Sequence, residues 1–171
     1  MKKIGKMHIA LGVLGAALVL GTHGHSVAQG SLSIGGSRAN FGTHRLAAGF
    51  TPDPKVIGNI VSGGSLNVAT MGLGSGCTGF ATAQPDVILN WTGSGSFLRV
   101  YFQGSGDTAL AINDAGGTWH CNDDTAGLNP QVDIRNPRAG QYDIWVTSYR
   151  AGENIRGQLK ITELQSNAVR P

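Results

Sequence analysis

Charge is scarce in this chain. Of its 171 residues only 13% are Asp, Glu, Lys or Arg, against about 25% in ordinary soluble domains. With no block of like charge and no heptad spacing, a charged disordered chain and a coiled coil are excluded. Aromatics are also few, at 6%. Glutamate occurs only as Glu153 and Glu163, and beyond residue 28 histidine occurs only as His44 and His120. There is no His-Glu-x-x-His zinc motif and no phosphate-binding glycine loop. No Gly-x-Ser-x-Gly nucleophile turn joins a strand to a helix, and Gly93-Ser-Gly-Ser-Phe97 reads as a hairpin. A hydrolytic set can be assembled only by free choice among many serines, so a cryptic hydrolase ranks third among the functional readings. Beyond residue 20 there is no long apolar run.

Glycine is plentiful, at 27 residues, about twice the average share of about 7%. Hydrophobic residues make up 40%, enough for a packed core. The start is distinctive: a basic stretch with Lys2, Lys3 and Lys6, an apolar run over 9–20, then Ser26 and Ala28. These are the three parts of a secretory signal peptide over 1–28. The alternative, a retained anchor, would need about 20 apolar residues. The expected product is secreted or periplasmic, with no membrane span in the mature chain. Without the three leader lysines, the 13 basic residues fall to 10, equal to the 10 acidic ones. A neutral mature chain has no field to gather nucleic acid, so none is expected as a partner.

Residues 29–54, rich in Gly, Ser, Ala and Asn, read as a flexible lead-in with at most one short edge strand. From Lys55 the pattern becomes short alternating strands between turns. Segments 55–61 and 65–70 flank Ser62-Gly63-Gly64, a hairpin signal. Val87, Leu89 and Trp91 share a face, as do Leu98, Val100 and Phe102 after a turn at Gly93–Gly95. Thr108, Leu110 and Ile112 follow, then 119–121, Val132 with Ile134, Tyr142 with Ile144 and Val146, and Leu159 with Ile161. That makes about nine short strands over 55–164, with 165–171 left as a disordered tail. The expected fold is all-β, an antiparallel, jelly-roll-like β-sandwich with one disulfide. A closed barrel is the alternative.

In an oxidising compartment Cys77 and Cys121 read as one disulfide. A zinc or thiol site is the other reading, and their wide spacing is unlike that of paired zinc ligands. Asn122, Asp123, Asp124 and Asn129 crowd one loop, with Asp107 and Asn113 on a neighbouring segment. Two readings stand: oxygen ligands for Ca²⁺, or turn residues bonding their own backbone. The tryptophans fill the core or pave a sugar-binding face. Trp145 alternates with Tyr142, Ile144 and Val146 and so points away from their face; with Tyr149 it is the candidate ligand platform.

Asp107-Thr-Ala-Leu-Ala-Ile-Asn113, Gly117-Thr-Trp-His-Cys-Asn-Asp-Asp124, Gly127-Leu-Asn-Pro130, Asn136-Pro and Gly140-Gln-Tyr-Asp-Ile-Trp-Val146 follow one another in order. Together with Gly49-Phe-Thr-Pro-Asp-Pro54, this frame resembles the bacterial pre-peptidase C-terminal domain, over about residues 49–164. The resemblance implies a secreted β-sandwich module that often follows a protease and acts in secretion, folding or substrate contact, some members binding calcium. No protease precedes it within these residues, which argues against a peptidase role. The sequence thus predicts a non-catalytic exported module, Ca²⁺ being its one candidate cofactor. Its partner would be a polysaccharide or a cell-surface or secreted protein, and a carbohydrate-binding module is the alternative.

Overall fold

Apolar residues at alternate positions give a strand one dry face, and two such sheets must cover each other. The computed structural model describes residues 30–171, so the signal-peptide reading of 1–28 lies outside the described residues. Eleven strands occur among them: β1 (Thr43–Leu46), β2 (Lys55–Val61), β3 (Leu66–Asn67), β4 (Phe80–Ala81), β5 (Val87–Trp91), β6 (Phe97–Gly104), β7 (Thr108–Asn113), β8 (Trp119–Asn122), β9 (Gln131–Arg135), β10 (Gly140–Ser148) and β11 (Arg156–Thr162). One sheet has four strands in the order β2-β11-β6-β9. The other has seven, with β10 paired to β5, β7 and β4; β8 extends from β7, β3 from β4 and β1 from β5. Every pairing is antiparallel except β1 with β5.

The facing surfaces are the alternating sets named above. Val87, Leu89, Trp91, Leu110, Ile112, Tyr142, Ile144 and Val146 come from the larger sheet. Leu98, Val100, Phe102, Val132, Ile134, Leu159 and Ile161 come from the smaller, with Ile57 and Ile60. Each fully buried large side chain contributes about 1.5–3 kcal/mol of transfer free energy. Ile57 and Ile60, three apart, both face inward. The left-handed Asn59 (φ 58°) lies between them, and the register shifts opposite Gly157 and Leu159, as at a β-bulge.

Several expectations are corrected. Ser62-Gly63-Gly64 is no hairpin, because β2 and β3 belong to different sheets. The chain crosses there between two other backbones. A Cβ on Gly64 (φ 155°) would lie 2.1 Å from Ala81, and one on Gly63 (φ 100°) would lie 2.3 Å from the Glu153 carbonyl oxygen. The Gly93–Gly95 segment likewise carries the chain from one sheet to the other, not round a hairpin. Only Leu66 and Asn67 of the expected 65–70 strand are extended. Asn67 then caps a 3₁₀ turn over Val68–Thr70 by accepting from the Ala69 N–H.

Trp145 is not exposed but fully buried. Its alternation was read correctly, but the outer face of the larger sheet carries a third layer. Leu32 of the lead-in and Leu66, Val68, Met71, Leu73 and Cys77 of the loop after β2 cover Trp145 and Ala111. Trp119 packs on Trp145 with ring centroids 5.6 Å apart. The Cys77–Cys121 disulfide, Cα to Cα 4.9 Å, fastens this cover to β8.

The two ends are docked. Gly35 N–H donates to Asp143 (2.6 Å), and the Gln141 amide donates to the Gly36 carbonyl (2.8 Å). The tail expected to be disordered is held by Arg99. Its Nη1 donates to the carbonyls of Gln165 (2.9 Å) and Asn167 (2.7 Å), while Nε and Nη2 grip Asp133. Val169 is buried and donates its N–H to the Gln131 side chain. Such segments look featureless in sequence, while their backbone groups still find partners on a finished surface.

Candidate functional site

The β7–β8 hairpin sets the site by register. Leu110 lies opposite Asn122 and Asn113 opposite Trp119. Continued two residues past the last ladder pair, this register puts Asp123 and Asp124 beside the start of β7, where Asp107 stands. Carboxylate oxygens of Asp107, Asp123 and Asp124 all lie within 4.8 Å of one another. Three negative charges at that range repel unless a cation or hydrogen-bond donors answer them. Burial, with the Asp124 charge next, pushes the carboxyls of Asp107 and Asp123 above the usual range. Oδ1 of Asp123 is shut off from solvent and has no hydrogen-bond partner. Asp124 stays exposed, so the cluster is open on one side.

The other three residues of the expected calcium set have side chains engaged by other partners. Asn113 stands at the far end of β7, six residues from Asp107, about 20 Å along an extended strand. Its side chain donates to the Gly117 carbonyl (3.2 Å). Asn122 Oδ1 accepts from Thr125 Oγ1 (2.8 Å) and from the Gln131 N–H (2.9 Å), shaping the loop. Asn129 is buried; its Oδ1 accepts from Gly104 N–H and its Nδ2 donates to the Arg170 carbonyl, both at 3.0 Å. Asn113 and Asn122 bond close by in sequence, whereas Asn129 fastens distant backbone at Gly104 and Arg170.

Tyr149 stands beside the acidic cluster. Its N–H donates to the Asp107 carbonyl (3.1 Å), and its side chain is 47% exposed. Leu128, 51% exposed, lies on the same edge, its carbonyl accepting from Thr108 N–H. Trp145 and Tyr149 therefore form no common platform: one is covered and the other is open.

Sequence reading passed over the pairing of Asp114 with His120. Asp114 Oδ2 lies 2.8 Å from His120 Nε2, and its Oδ1 accepts from Gly116 and Thr118 N–H groups. Burial pushes this carboxyl up, but the His120, Thr118 and Gly116 hydrogen bonds outweigh it and hold it below the usual range. The signal was present in Asp114-Ala-Gly-Gly-Thr-Trp-His120, where a tight turn brings positions 114 and 120 together. Among the described residues no serine, threonine or cysteine side chain hydrogen-bonds His120, and both cysteines are in the disulfide. No helix among the described residues is long and apolar enough to cross a membrane. No protein-family model matches the chain, and neither does any curated protein.

Proposed function

We propose that this chain is a non-catalytic exported β-sandwich module of the pre-peptidase C-terminal kind, with an accessory or binding role in the periplasm or outside the cell, and that Ca²⁺ stabilises its acidic edge. The observation that carries the reading is the convergence of Asp107, Asp123 and Asp124 within 4.8 Å. The sequestered Oδ1 of Asp123 adds to it. Calcium takes six to eight oxygens, and three carboxylates plus water meet that need only loosely. The affinity expected is that of extracellular modules, about 10⁻⁴–10⁻³ M. Rooting Asp123 two residues from the Cys121 crosslink lowers the ordering cost of binding.

Support for a non-catalytic role comes from His120. Its carboxylate partner is tied into a turn, and no nucleophile hydrogen-bonds the ring. A polysaccharide or a surface protein is the partner class that fits an exported module with Tyr149 and Leu128 open beside the acids.

Thermal melting in millimolar CaCl₂, in MgCl₂ and in chelator tests the proposal. At about 10 mM CaCl₂ bound calcium adds about 1.4–2.7 kcal/mol across the expected range of dissociation constants. The Asp123→Asn variant should lose this gain. In chelator it should melt at or above the wild-type temperature, because one like charge has gone; relief at a surface position amounts to about 0.5 kcal/mol. Equal melting of the wild type in calcium and chelator would leave the three aspartates as turn formers.

A further inference from the structure

At the other end of the β7–β8 hairpin, the turn 114–118 faces the β9–β10 connection across a cleft of about 190 Å³. Its lining joins the two sheets: His120 from the larger, Ile134 and Arg135 from the smaller. The volume is below the 300–1,000 Å³ typical of whole-ligand pockets. It suits one functional group at the end of a larger molecule.

The polar groups around this cleft are unevenly spent. Asp114 is the one carboxylate in the lining, and both its oxygens are engaged, Oδ1 by two backbone N–H groups and Oδ2 by His120. Arg138 has no such partner. The ion pairs among the described residues are Arg99–Asp133, His120–Asp114 and Arg150–Glu153. Arg138 Nη1 lies 3.2 Å, and Asp114 Oδ1 3.3 Å, from where a Cβ on Gly116 would stand, so this glycine lets the guanidinium rest against the turn near the Asp114 carboxylate without pairing with it. The Arg138 backbone is fixed from beneath, its carbonyl accepting from the buried Tyr142 hydroxyl at 2.8 Å. Arg135 also lines the cleft and has no carboxylate partner; its guanidinium stacks 6.0 Å from the Phe97 ring centroid. Asn136 sits in the left-handed region at φ 49°. Its backbone N–H donates to the Ser96 carbonyl (2.9 Å), while its side-chain amide and the Thr118 hydroxyl hydrogen-bond to no protein group among the described residues. The cleft thus holds one satisfied anion, an exposed guanidinium outside any ion pair, a second exposed arginine at the rim and two exposed side-chain donors with no protein partner.

We propose that this cleft binds an oxyanion group, a phosphate, sulfate or carboxylate carried by a larger molecule, with Arg138 as the anchoring cation and His120, Asn136 and Thr118 as further contacts. A guanidinium presents paired N–H donors in a plane that matches two oxygens of such a group. The site shares no residue with the acidic edge and does not depend on calcium.

The test is an amide chemical-shift titration of the purified chain with inorganic phosphate, with sulfate and with glucuronate, in separate arms. The expected result is saturable shifts at Gly116, Thr118, His120, Asn136 and Arg138, with the strongest arm naming the ligand chemistry. Arg138→Gln should weaken that binding tenfold or more, and Thr118→Val, at an exposed position that leaves the fold alone, about threefold. Arg150→Gln, a remote exposed arginine, should bind as the wild type does. Failure to saturate in all three arms, wild-type affinity in both cleft variants, or equal weakening by Arg150→Gln would overturn the proposal.

Discussion

Asp86 shows how one side chain can stand in for missing backbone. Its N–H donates to the Ile144 carbonyl (2.8 Å), one residue before β5 begins. The next N–H along β10 on this side, that of Val146, donates to Asp86 Oδ2 (2.7 Å), while Asn40 Nδ2 donates to Oδ1 (3.0 Å). Among the described residues no cation pairs with this 2%-exposed carboxylate. Burial pushes it up to about 7, against the opposing pull of the Asn40 and Val146 hydrogen bonds. A folded-state value above the unfolded one favours the protonated form. The contribution of Asp86 to stability is therefore fullest below about pH 4 and is lost as pH rises toward and through 7, by roughly 4 kcal/mol at most. Asp86→Asn should flatten that slope, making the protein more stable than wild type at pH 8 and no more stable at pH 4. Urea unfolding at the two pH values checks this; a parallel pH dependence in wild type and variant would refute it. Asp114, held low, contributes the reverse dependence, with stability lost as pH falls through its folded value. At this scale the sequence was partly legible. Three aspartates of the acidic edge were read as a set, but the buried role of Asp86 was not, because a strand-start Asp looks the same whether its side chain meets water or an N–H.

The strands were legible where alternation is strong, as in Val87-Ile-Leu-Asn-Trp91 and Tyr142-Asp-Ile-Trp-Val146. Their partners were not. A glycine-rich turn looks alike whether the chain folds back in its own sheet or arches to the other one, so 62–64 and 93–95 were both read as hairpins. The difference lies in distant backbones: Ala81 and Glu153 crowd Gly63 and Gly64. Gly64→Ala should cost about 3 kcal/mol or more, from the strained φ and the clash together. An equilibrium unfolding curve near wild type would contradict the crossing. The cover over Trp145 was hidden for the same reason, since its residues lie up to about 110 positions away in sequence. The disulfide was legible from the cysteine count and the expectation of export, but not its task of pinning that cover. Replacing Cys77 and Cys121 with Ala should cost about 2–5 kcal/mol. Tryptophan emission should shift to the red as the cover loosens over Trp119 and Trp145. A variant as stable as the wild type would remove that role.

The described residues form a sandwich of four and seven strands with both of their ends docked on it. Arg99 holds the C-terminal segment and the lead-in is bonded along β10. The β7–β8 hairpin carries a group of unspent anions at one end and a mostly cationic cleft at the other. Such a division sets two opposite local chemistries on a module whose described residues are formally neutral. Composition gave the neutrality but not the division, which depends on hairpin register. The calcium assignment is the centre of this account, and a calorimetric titration of Ca²⁺ into metal-free protein tests it most directly. We predict one site of millimolar to tenth-millimolar affinity, absent in Asp123→Asn and unchanged in Arg138→Gln. No saturable heat in the wild type, or the same isotherm in Asp123→Asn, would contradict it.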